Sequence, residues 1–301
     1  MVGMGREFDR WRAVATLAAL LAAALLAASC GGDDGSAAAA EKVPQPLVDR
    51  FDAKAAYELV REQVELGPRP AGSEPSRVLA ARLRRMLPNG RFQPIGGGLR
   101  NVVGRVPGRN PKRLVVVGAH YDTKEIPGFL GAVDGASGTA VVAELARTIE
   151  PRELRPTVVF LMFDGEEVPA GKSDREFLRY GIRGSKAVAP RYKDAEAMIL
   201  LDFVGNRGLR IPRESYSNAG LWQRLRGAAR AVGVGKVFPA EELGGGIQDD
   251  HIPFIEQGVP SIDLIDFDFP CWHRACDDLS KVSQRSLDAS GETVYELLRR
   301  L

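Results

Sequence analysis

Histidine and cysteine are scarce in this chain, with three of each among 301 residues. Three cysteines are too few for a small scaffold stapled by disulfides, so the fold has to rest on an apolar core. An excess of charge is missing too: 41 Lys and Arg stand against 39 Asp and Glu, for a net charge of +2. With no long basic run, nucleic acid and broad anionic surfaces are not expected partners. Internal repeats and a second domain are also lacking. What is present is an ordinary globular composition, 45% hydrophobic and 27% charged, with enough chain for one large domain.

The first thirty residues differ from the rest. Arg6, Arg10 and Arg12 precede an apolar stretch, Ala13 to Ala28, broken only by Thr16. That stretch is shorter than the roughly 20 residues a spanning helix needs. It ends in Ala27-Ala28-Ser29-Cys30 and turns polar at Gly31-Gly32-Asp33-Asp34. This is the pattern of an export signal over residues 1–29. Cys30, directly after small residues, resembles the modified cysteine of a bacterial lipobox, which implies cleavage before it and lipidation of its thiol. Residues 30–46, rich in Gly, Ala and Asp, then read as a flexible tether. The expectation is a domain over 47–301, exported to the cell envelope and anchored on the outer face of the membrane through Cys30 alone. A plain secretory signal and an uncleaved anchor are the alternatives, and both export the domain. In that oxidising compartment Cys271 and Cys276 either pair or stay as free thiols. A monomer satisfies everything in the sequence.

Apolar residues at helical spacing from Leu47 to about Glu65 predict a first helix, stopped by Gly67-Pro68-Arg69-Pro70. Ser73 can cap a second helix running to about Met86, before a turn at Pro88-Asn89-Gly90. Four apolar runs predict buried strands: Leu114–Val117, Thr157–Phe163, Met198–Leu201 and Ser261–Ile265. Asn101–Val106 adds an edge strand. Helical patterns cover Ser137–Thr148, about Arg175–Val188, Leu221–Val232, His251–Glu256 and Asp288–Leu301. The alternation predicts an α/β fold, a three-layer α/β/α domain around a central, mostly parallel mixed sheet.

The strands run into polar residues that suit a metal. The first leads to His120 and Asp122, the second to Asp164-Gly165-Glu166-Glu167, the third to Asp202, and the last towards Trp272-His273. Open α/β sheets bind ligands at the carboxyl ends of their strands, so His120, Asp134, Glu166, Glu167, Asp202 and His273 should gather at one sheet edge. Zinc accepts imidazole nitrogen and carboxylate oxygen. Of two adjacent Glu residues, one can bind metal while its neighbour moves protons. In His120-Tyr121-Asp122 the Asp122 carboxylate is placed to orient the imidazole. His251, opening a helix after Asp249-Asp250, reads as mainly structural.

Six segments, in order, resemble motifs of the M28 clan of zinc aminopeptidases and, within it, of the glutaminyl-peptide cyclotransferases. They are Gly118–Asp122, Gly131–Gly138, Phe163–Glu167, Leu200–Asp202, Gln248–Phe254 and Phe269–His273. The resemblance covers nearly all of the chain from Phe51 to Leu301 and implies a zinc-dependent exopeptidase-like fold. As a cyclase, it implies one zinc held by Asp134, Glu167 and His273. Glu166 would be the general acid/base, with Asp202 and Asp249 in an acidic network beside it. Trp272, Phe269 and Gln248 would contact the substrate, an N-terminal Gln of a peptide or protein that closes to pyroglutamate with loss of ammonia.

As an aminopeptidase, the same resemblance implies two metals, with His120 and Asp202 as ligands of the second. Three departures from the animal cyclases stand out. The loop Gly135-Ala136-Ser137-Gly138 is closer to the aminopeptidase pattern, Val168–Lys172 lacks a Trp, and Ala119 and Thr139 stand where a cysteine pair is found. A third reading is a non-catalytic exported binding lipoprotein.

The leader itself is testable. Cys30→Ser should leave the exported chain in the aqueous phase of a detergent partition, where the unaltered chain follows the detergent.

Overall fold

The computed structural model describes residues 43–301, so the export signal, Cys30 and most of the tether lie outside the described residues. The chain enters along α8 (Gln284–Arg300) and not as the start of a helix. Helix α1 is Ala53–Glu65, and Leu47, expected inside it, is 79% exposed. The physical reason is Glu292. Its carboxylate accepts the backbone N–H of Arg50 and of Phe51, the latter at 2.8 Å, which ties this segment to α8. Asp52 then caps α1 by accepting from the Ala55 N–H, and Ser73 caps α2 (Glu74–Met86) by accepting from Ser76.

Six strands form one sheet: β1 (Arg91–Gly96), β2 (Leu99–Val106), β3 (Asn110–His120), β4 (Pro156–Phe163), β5 (Ala197–Leu201) and β6 (Ser261–Leu264). Their order is β1-β2-β4-β3-β5-β6. The four strands β4, β3, β5 and β6 run parallel, while β1 and β2 add an antiparallel flank. The strand expected at the edge, Asn101–Val106, is therefore an inner strand. The true edge is β1, whose Arg-Phe-Gln-Pro-Ile-Gly sequence shows no apolar run because every residue in it stays partly or fully exposed.

The parallel strands are apolar on both faces, and alternate residues feed two cores. Val115 and Val117 of β3 join one core with α1, α2, α3 (Ala136–Thr148), α6 (Ala219–Ala231) and α8. Val116 joins the other with Val188 and Phe254, which sit on α5 (Arg183–Val188) and α7 (Ile252–Glu256). The three-layer α/β/α architecture thus stands as expected.

The helix expected over Arg175–Val188 is interrupted. It is a 3-10 turn, then α4 (Phe177–Tyr180), then α5. At the break the Ile182 and Arg183 N–H groups donate to the carbonyls of Glu166 and Gly165, at 2.8 and 2.9 Å. Two amides that would have continued the helix hold the loop of the Glu pair instead.

Helix α3 presses against the end of β5. A Cβ at Gly138 would stand 2.1 Å from the Leu201 carbonyl oxygen, so only glycine permits this approach. Gly138→Ala should force α3 off β5 and destabilise the protein by about 1–3 kcal/mol, read as a lower midpoint in thermal or urea unfolding.

Candidate metal centre and pocket

Strand β3 ends on His120, and Asp122 follows it. The expected contact between the Asp122 carboxylate and the imidazole is not made: Nδ1 lies 3.8 Å from Oδ1, beyond a hydrogen bond. The Asp122 backbone carbonyl takes that place, 3.1 Å from Nδ1. A carbonyl only accepts, so Nδ1 carries the hydrogen and Nε2 is the nitrogen turned towards the carboxylates. The Asp122 side chain instead reaches the end of β4. Oδ1 accepts the N–H of Gly165 (3.0 Å) and of Glu166 (3.1 Å), and Oδ2 accepts that of Glu167 (3.2 Å). Three charge-assisted bonds from successive amides fix the backbone that carries the Glu pair.

Asp134 sits just before the N-terminus of α3, where the helix dipole favours a negative charge. Its loop is held by a carboxylate from far along the chain. Asp277 accepts the Val133 N–H at 2.8 Å and the Asp134 N–H at 3.0 Å. Buried Arg69 adds a bond to the Gly131 carbonyl at 3.3 Å.

On this frame the donor atoms converge. His120 Nε2 is 3.1 Å from Asp202 Oδ1 and 3.3 Å from Asp134 Oδ1. His273 Nε2 is 3.1 Å from Glu167 Oε1 and 3.6 Å from Asp134 Oδ2. Two groups result, His120/Asp134/Asp202 and Asp134/Glu167/His273, each with donor atoms within 4.8 Å of one another and sharing Asp134. Asp134 Oδ2 is buried without a hydrogen-bond partner among the described residues, which leaves it available to a cation. Nitrogen and oxygen donors in sets of three are what zinc takes in a site that keeps a position open.

The electrostatics report an excess of negative charge. Burial pushes the Glu166 carboxyl well above its ordinary value, and the charge of Glu167 adds to it. Burial does the same for Asp202, against the pull of His120, and raises Asp249. Burial pulls the His120 imidazole down, yet the carboxylates around it, Glu166 first, hold it well above its ordinary value. Asp277 is pushed up to about 7 by burial and then by the charge of Asp134.

A cavity of about 270 Å³ opens over these groups. Asp134, Glu166, Glu167, Asp202 and Asp249 all line it, as do Gln248 and Trp272. Phe269 does not: it is buried in the core, edge-on to Phe203 at 6.1 Å. Phe267 faces the pocket in its place, 4.9 Å from the Trp272 ring.

Lys124 and Phe177 are among the lining residues that no sequence motif points to. Lys124 places Nζ 3.2 Å from Glu167 Oε2, and its position two residues past Asp122 was the available signal. Phe177, on α4, brings an aromatic ring to the pocket from the segment after the Glu pair where no Trp stands; it belongs to no motif. His251 is fully buried, 3.5 Å from Glu214, away from the pocket lining as a structural residue would be.

Residues 101–298 match the family model described as Peptidase family M28. Glutaminyl-peptide cyclotransferase of Bos taurus is 31% identical over 216 residues, covering 59% of each chain. The chain thus spans about three fifths of the length of that curated relative, 59%. Aminopeptidase YwaD of Bacillus subtilis is 28% identical over 66% of this chain and 45% of its own. Among solved structures, glutaminyl cyclase of Porphyromonas gingivalis superposes with a TM-score of 0.74 at 30% identity, over 84% of this chain and 99% of that one.

The Asp122 clamp has a measurable weight. Asp122→Ala leaves three buried amides without their acceptor, at about 1–3 kcal/mol for each such group. The melting temperature should fall, and zinc affinity, read by calorimetry on the fraction still folded, should weaken by roughly 10–100-fold.

Proposed function

This chain belongs to peptidase family M28, and on that premise we propose that it is a zinc-dependent glutaminyl-peptide cyclotransferase. It would close the N-terminal Gln of peptides to pyroglutamate and release ammonia. The likeness to cyclases in both sequence and structure supports this reading. The observation that carries it is Asp249. This carboxylate is buried and lines the same pocket as Glu166, yet belongs to neither group of metal donors. It is thereby left to accept hydrogen bonds from the substrate's α-amine beside the proton carrier Glu166, as a reaction that gathers that amine onto a neighbouring carbonyl requires.

Zinc bound by Asp134, Glu167 and His273 would polarise the γ-carbonyl of the terminal Gln. The residues of the chain do the rest. Trp272 and Phe267 hold the side chain in the pocket. Asp202 and Asp249 accept hydrogen bonds from the α-amine and orient its lone pair. As the α-nitrogen bonds to the γ-carbon, Glu166 takes the proton the amine loses. It returns that proton to the departing nitrogen as the C–N bond breaks, so ammonia leaves and Glu166 is restored. Nucleophile and electrophile share one residue, so folding the substrate provides most of what proximity can give. With the leader processed at Cys30, these substrates are peptide or protein N-termini outside the membrane.

One observation favours a second reading, an M28 aminopeptidase. His120 and Asp202 form a complete second donor group that shares Asp134, the arrangement two bridged metals require.

One variant tests the proton carrier, and a second separates the two readings. Glu166→Gln should keep its zinc and lose about 10²–10⁴ in cyclisation of a Gln-peptide; substantial turnover would remove Glu166 from its role. His120→Ala should keep one zinc per chain and most of its cyclase activity. Loss of a second metal, together with loss of amino-acid release from unblocked peptides, would establish the aminopeptidase instead.

A further inference from the structure

One short covalent ring serves two of the metal ligands. Cys271 and Cys276 are disulfide-bonded, and the ring they close contains Trp272 and His273. The next residue is Asp277, whose carboxylate accepts the amides of Val133 and Asp134. The ring is also knit internally, with Arg274 N–H donating to Cys271 O and Asp277 N–H to Arg274 O, both at 3.0 Å. It is anchored at Cys271, which is buried in the core. Inside the ring His273 has φ 51°, in the left-handed region. A residue with a Cβ held there costs about 1–3 kcal/mol, so the surroundings must impose that conformation.

We propose that the Cys271–Cys276 disulfide is a positioning device for the metal. It holds His273 directly in its left-handed conformation and holds Asp134 through Asp277, so both donors are set before the ion arrives. A cross-link withdraws freedom from the segment it closes, and donors ordered in advance bind without the cost of ordering them. Trp272, in the same ring, is fixed against the pocket by the same bond. The inference rests on Asp134 and His273 as ligands and is independent of which N-terminal reaction follows.

The test is zinc affinity in the Cys271→Ser/Cys276→Ser chain, by competition with a chromogenic chelator at a temperature where circular dichroism shows the metal-free variant folded. The dissociation constant should rise by roughly tenfold or more. A purely structural disulfide would lower the unfolding midpoint of the metal-free protein and leave zinc affinity unchanged, and that result overturns the proposal. Should the double variant fail to fold, the unaltered chain answers by reciprocity, since a bond that favours zinc must be favoured by zinc. In a glutathione redox buffer the fraction of intact disulfide should rise when chelator is replaced by saturating zinc; an equal fraction in both overturns the proposal. Unaltered protein that binds no zinc overturns it as well. Protein that binds zinc but cyclises no Gln-peptide refutes the proposed function alone.

Discussion

The constraint on which this structure turns is the burial of five carboxylates side by side in one pocket. Asp134, Glu166, Glu167, Asp202 and Asp249 are all buried and all line it. Charges taken out of water need partners, and among the described residues those partners are few: Lys124 beside Glu167, His120 beside Asp202 and Asp134, His273 beside Glu167 and Asp134. Burial raises the Glu166 and Asp202 carboxyls, and the carboxylates gathered around His120 raise its imidazole against burial. A divalent cation would find Asp134 Oδ2 without a hydrogen-bond partner among the described residues and would offset the negative charge around it. The parallel sheet contributes to this crowding, because β4 and β5 end just before Glu166, Glu167 and Asp202, while loops bring Asp134 and Asp249 to the same pocket.

Much of the site was legible because strand ends are legible. Four apolar runs announced buried strands, and the polar residues after each run had to meet at one edge. That argument brought His120, Glu166, Glu167 and Asp202 together from position alone. His273, beyond the last run, and Asp134 joined the same set by position, and the family motifs assigned them as zinc ligands. The three-layer fold followed from the same alternation of runs and helical patterns.

What escaped the sequence was decided by long-range bonds to backbone. Glu292 draws Arg50 and Phe51 out of a helical start. The carbonyls of Gly165 and Glu166 break a helix at Ile182. Asp122 turns from its neighbour His120 to the amides of another strand's loop. No pattern of side-chain polarity encodes a carboxylate that seeks an amide forty or more residues away. Strand β1 was missed for a simpler reason: an exposed edge needs no apolar run. Phe269 and Phe267 exchanged places because two aromatics two residues apart differ only in which face the backbone gives them.

The two carboxylates that brace the ligand loops share a property with consequences for how the site can change. Asp122 and Asp277 grip main-chain N–H groups, which every residue except proline carries. Except at Gly165, whose φ of 76° and crowded surroundings require glycine, the frame does not read the side chains it holds. A change of side chain at Asp134, Glu166 or Glu167 alters the chemistry of the pocket without removing the amides that are gripped, while a single proline at 133, 134, 165, 166 or 167 would undo the frame. Through mutational drift the chemistry of the pocket and the rigidity of its support are separable: a ligand can be lost or replaced while the main-chain frame behind it stays in place.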